Sequence, residues 1–191
     1  MKYVIYGVIG IAVLGFLFAG ESKPKIDLAE VLNRSTLAMD RYDKYLKQNN
    51  IEKATDTHLE QLNGILQKVM NTEPRFHDGF IAMRLGKDAK FSGVDDANAN
   101  EVADPDEKQL FAIELDAQNK RLIATDASGT ATSRGFSGMG FVAGALIGSM
   151  LGRQRAAGIT PASFANRKVT SPTADNQARS RARSGGLRAG K

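Results

Sequence analysis

Gly140, Gly144, Gly148 and Gly152 recur at every fourth position through the apolar stretch Phe136–Leu151 (FSGMGFVAGALIGSML) and its first flanking residue. Residues four apart share a helix face. As a helix, this segment would carry a groove without side chains, flanked by Phe141, Val142, Leu146, Ile147 and Met150. In water each interior glycine costs a helix about 1 kcal/mol relative to alanine. In a bilayer a glycine face lets two backbones pack closely. The repeat therefore predicts a membrane or helix-packing segment over 136–152, with these four glycines as the contact face. Its partner would be a second copy of the chain or another membrane helix.

A second apolar run, Tyr3–Ala19, holds 17 uncharged residues between Lys2 and Glu21, or about 26 Å of helix at 1.5 Å per residue. That length sits at the short end of the spanning range. Phe18 precedes Ala19-Gly20 where a signal-peptide cleavage site calls for small residues. An uncleaved anchor over 1–22 therefore fits better than a cleaved signal.

The net charge of +5 is unevenly spread. Residues 153–191 carry nine Lys and Arg against the single acid Asp175, whereas residues 21–134 carry sixteen basic and twenty acidic side chains. With Arg153 and Arg155 flanking the glycine segment, the positive-inside rule keeps the tail in the cytoplasm. The central region would then lie outside the inner membrane. With a cleaved signal the chain would instead be periplasmic. The tail is poor in large apolar residues, so 153–191 reads as disordered. Arg179, Arg181, Arg183 and Arg188 are its candidates for binding phosphate, on anionic lipid or nucleic acid.

Residues 23–127 read as one small α+β domain. Leu28, Val31, Leu32, Ser35, Met39, Tyr42 and Leu46 follow helical spacing, with Asp27 and Glu30 placed as a capping box. A second helix is expected from Thr57 to about Met70, presenting Leu59, Leu62, Leu66 and Val69. After Pro74 the pattern changes to strands at Phe80–Leu85, Leu110–Leu115 and Lys120–Thr125. Three or four antiparallel strands are expected. Ser128–Gly135 reads as a flexible linker.

Little in the chain points to catalysis. No cysteine supplies a thiolate or disulfide, and no glycine-rich phosphate loop or nucleophile elbow occurs. His58 lies in the first turn of a predicted helix, and His77 is followed by Asp78, which points away from it in an extended chain. Asp96, Asn98, Asn100, Asp104 and Glu107 stand at positions 1, 3, 5, 9 and 12 of an acidic stretch. This spacing resembles the calcium loop of EF-hand proteins and implies calcium as a possible ligand. The stretch departs from the motif at Glu101, where the sharp turn uses glycine, and at the following strand. A solvated acidic loop is the simpler expectation, with no cofactor.

The sequence-level expectation is thus a non-enzymatic, bacterial-type membrane protein with a structural or adaptor role, docking through its glycine face. The rivals are an exported periplasmic binding module and a virion or envelope component whose tail contacts nucleic acid.

Overall fold

A computed structural model describes residues 26–136, 144–165 and 167–170. Two antiparallel helices lie on one face of a five-stranded antiparallel sheet. Helix α1 spans Leu28–Gln48 and α2 spans Asp56–Met70. The strands are β1 (Phe80–Leu85), β2 (Phe91–Asp96), β3 (Gln109–Asp116), β4 (Arg121–Asp126) and β5 (Ala131–Gly135), hydrogen-bonded in chain order. Helix α3 follows over Ala145–Ala156, and a single turn, α4, over Ala162–Ala165.

Helix α1 starts where expected because the Asp27 carboxylate accepts from the amides of Ala29 (3.0 Å) and Glu30 (3.2 Å). Glu30 does not complete a capping box. It binds Arg34 Nε one turn on, at 2.7 Å. Helix α2 begins at Asp56, a residue earlier than expected, with Thr55 as its cap. The amide of Thr55 donates to His58 Nδ1 at 2.9 Å, so His58 serves as a capping side chain.

The helices cover one sheet face. Their Leu32, Met39, Leu46, Leu59, Leu62 and Leu66 meet Phe91, Phe111, Ile113, Leu115 and Leu122 in a single core. The ring of Phe111 lies over Gly93 on the neighbouring strand, where any Cβ would collide with it. At the β3–β4 turn, buried Asp116 accepts from Asn119 Nδ2 and Arg121 Nε, both at 2.8 Å. Burial alone would raise its pKa, but these hydrogen bonds outweigh it and hold the carboxyl below its ordinary value.

The sheet has five strands against the three or four expected, and two of them are additional to the three located in the sequence. Strand β2 carries Gly93 and two aspartates, which weaken its apolar pattern. Strand β5 occupies 131–135 of the expected linker; it pairs with β4 from Thr125↔Ala131 to Arg121↔Gly135. Its turn is set by Asp126, whose Oδ1 accepts from the amides of Ser128 and Thr130, and by Gly129 at φ +84°.

The glycine segment also differs from a continuous helix over 136–152. Phe136 belongs to the sheet side, its amide donating to Lys120 O at 3.0 Å, and it is buried in the core. The described helix begins only at Ala145, with Gly144 as its cap. Leu146, Ile147 and Met150, which give the segment its bilayer character, lie in the same core as Leu32 and Leu59. The protein interior solvates them. Among the described residues no helix is long and apolar enough to cross a membrane. Residues 1–25, including the run Tyr3–Ala19, lie outside the described residues.

Within the region read as a disordered tail, residues 153–165 and 167–170 are described and pack against the domain. Ile159, Phe164 and Val169 pack on Ile123 and Ala131, on the sheet face opposite the helices. Arg167 forms a two-pronged ion pair with Glu114, its Nη2 3.1 Å from Oε1. Thr170 then bridges β5 in parallel: its amide donates to Ala131 O at 3.1 Å, and Ser133 N donates to Thr170 O at 2.9 Å. Three apolar side chains and one charged latch are enough here because they dock on a preformed sheet.

Candidate functional site

At one end of the sheet β1 and β3 begin and β2 and β4 end, and the loops there enclose a cleft of about 430 Å³. Its walls include His77, Asp78, Asp95, Lys108 and Ser128, and Ile26 and Leu110 supply apolar lining.

His77 is placed by a loop with little regular structure of its own. Arg34 on α1 reaches that loop and donates from Nη1 to Val69 O (2.8 Å) and Thr72 O (2.7 Å), and from Nη2 to Pro74 O (2.6 Å). Its guanidinium also lies 4.9 Å from the centre of the Phe76 ring. One side chain thus satisfies carbonyls at the end of α2 and fixes the path to His77. Asp95 is held by its own strand, with its amide donating to Lys108 O at 2.9 Å.

His77 Nε2 lies 2.9 Å from Asp95 Oδ1. A carboxylate only accepts, so Nε2 carries the proton, and in the neutral ring Nδ1 is left as an acceptor. Gly79 lies beside this pair: a Cβ there would come within 2.8 Å of Asp95 Oδ1 and 3.2 Å of His77 Nε2. Close approach of the two side chains therefore requires glycine.

Two further charges in the cleft have no counterpart among the described residues. Among the described residues, Asp78 and Lys108 make no ion pair and no side-chain hydrogen bond, although they line the same cavity. The arrangement offers one free anion, one free cation, an oriented imidazole and an apolar surface. It suits recognition of a small group bearing both charges.

The residues singled out in the sequence are dispersed. Gly140 and the arginines Arg179, Arg181, Arg183 and Arg188 lie outside the described residues. Gly144 is buried, and a Cβ there would overlap the Asp43 carboxylate. Gly148 and Gly152 are exposed, with open space where a Cβ would be. The three described glycines of the repeat thus meet two different surroundings.

In the acidic loop, Asp96, Asn98, Asn100, Asp104 and Glu107 do come together, but around their own amides. Asp96 accepts from Asn100 N (3.1 Å) and Glu101 N (2.7 Å). Asp104 Oδ2 accepts from both Asn98 Nδ2 (2.8 Å) and Asn100 Nδ2 (2.9 Å). Glu107 accepts from Ala97 N and Asp104 N. Ala99 and Glu101 take left-handed φ values of 56° and 60° to close this network. Among the described residues no group of three or more His, Asp or Glu is arranged to hold a metal ion.

The pairing of His77 with Asp95 was hidden in the sequence, where Asp78 is the adjacent carboxylate. Recognising β2 would have narrowed the search, because the pairs Phe80↔Asp96 and Ile81↔Asp95 bring the end of β2 to the start of β1, three residues after His77. No family model matches the chain, and no curated protein or solved structure shows significant similarity to it.

Proposed function

We propose that this protein is a membrane-tethered recognition module with an adaptor role. The run Tyr3–Ala19 is the tether, and the cleft at the His77–Asp95 end of the sheet is the surface offered to a partner. The observation that supports this reading is an uncharged 17-residue run in the sequence, ahead of a domain whose described residues form one core from Leu28 to Met150. An uncharged run of this length is at the short end of what spans a bilayer.

The adaptor role rests on the cleft and not on the glycine face. Gly144 is committed to Asp43, and the apolar residues of α3 are committed to the core. The same N-terminal run also suits the rival reading, an exported module freed by signal cleavage.

Membrane fractionation separates the two. The full chain is expected to stay in the membrane pellet through an alkaline carbonate wash, while a chain starting at Lys23 is released and unfolds at the same temperature. Release of the full chain by carbonate would refute the tether. A mature N-terminus near Lys23 would establish the exported form.

A further inference from the structure

We propose that the cleft binds a small zwitterion with an ammonium and a phosphate, specifically a phosphoethanolamine headgroup at the membrane surface. Three observations carry this inference.

The first is the unpaired charge. Asp78 and Lys108 line one cavity and, among the described residues, neither pairs with the other or with any third group. Every other described carboxylate in the cleft has a partner: Asp95 holds His77, and Asp126 holds its own turn. A cleft with one anion and one cation left over complements a ligand with one of each. A plain cation or a plain anion would satisfy only half of it.

The second is size and lining. About 430 Å³ admits a ligand of headgroup size. Ile26 and Leu110, both packed against the core, give apolar contact for the two-carbon link between the charges. Lys108 would meet the phosphate. Asp78 and the second oxygen of Asp95 would take the ammonium.

The third is position, and it rests on the tether reading. Ile26 lies in the cleft wall and follows Ala19, the end of the apolar run, by seven residues. Even fully extended, that connection spans at most about 25 Å. A cleft so close to the tether meets lipid headgroups at far higher local concentration than free solutes.

The test uses the full chain in detergent micelles free of phospholipid, titrated separately with phosphoethanolamine, ethanolamine, inorganic phosphate and glycine, with binding read by calorimetry. Phosphoethanolamine is expected to bind saturably, with the single-charge probes and glycine about tenfold weaker or more. Lys108→Met and Asp78→Asn should each weaken it about tenfold, the loss of one charged hydrogen bond. Both side chains are exposed, so unfolding temperatures should not change. Nanodiscs should bind the chain's cleft probe-dependently: phosphatidylethanolamine discs should compete with free phosphoethanolamine, and phosphatidylcholine discs should not. No saturable binding, or binding indifferent to both substitutions, would overturn the site. Glycine binding as tightly as phosphoethanolamine would overturn the headgroup assignment in favour of a free amino acid. Because the first titration needs no bilayer, carbonate release of the chain would defeat the tether without touching this result.

Discussion

Gly144 and Gly148 lie one helical turn apart, and substitution at the two positions should have opposite effects. At Gly144 the Asp43 carboxylate, itself buried, occupies the space a side chain would need. Asp43 also binds Lys47 Nζ at 2.6 Å, so it cannot move aside without breaking that pair. Gly144→Ala should therefore destabilise the fold by about 1–3 kcal/mol, the usual cost of forcing atoms into a packed site. At Gly148 nothing lies within 4 Å of the missing Cβ. Gly148→Ala should stabilise by about 0.5–1 kcal/mol, through helix propensity alone. Thermal unfolding of the two variants checks both signs, and loss of stability in each would contradict the packing described here.

At the scale of elements, α2 does the work of a missing strand. The free edge of β1 would otherwise present unpaired backbone groups to other chains. Instead Asn63, Gln67 and Asn71, spaced four residues apart on α2, bind it. Asn71 both donates to Ile81 O and accepts from Ile81 N, each at 2.9 Å. Gln67 Oε1 accepts from Met83 N, and Asn63 Nδ2 donates to Met83 O, again at 2.9 Å. Replacing Gln67 and Asn71 by alanine leaves three backbone groups of β1 without these partners. The double variant should lose about 2–4 kcal/mol and aggregate at concentrations where the parent stays monodisperse. Light scattering after mild heating reads the second effect. An unchanged aggregation onset would mean that the edge is not guarded this way.

For the molecule as a whole, the sheet is covered twice, by the α1–α2 layer on one face and by the segment 159–170 on part of the other. That second cover depends on one polar latch, since Glu114 is buried and pairs with Arg167, with Lys90 Nζ 3.6 Å away as its other cation. Removing Arg167 leaves the carboxylate with the weaker partner. Arg167→Ala should cost about 2 kcal/mol and free the segment, so that the amides of Ser133 and Thr170 exchange faster in deuterium while those of β3 remain protected. Protection at both amides equal to the parent's would show that Phe164 and Val169 hold the segment without the latch.

Local pattern in this chain determined the helices and the strongest strands. The three-and-four spacing from Leu28 to Leu46, the cap at Asp27 and the apolar run of β3 are short-range properties, and short-range sterics and burial act on them directly. What the tertiary structure decided lies where one sequence pattern fits two environments. As a sequence pattern, the apolar stretch Phe136–Leu151 fits a bilayer or a protein core, and only the presence of α1, α2 and the sheet assigns Leu146 and Met150 to a core. Ser- and Thr-rich β5 has no apolar signal of its own and becomes a strand because β4 offers it an edge. His77 and Asp95 stand 18 residues apart in the chain, and their meeting depends on the register of β1 against β2, which no local pattern contains.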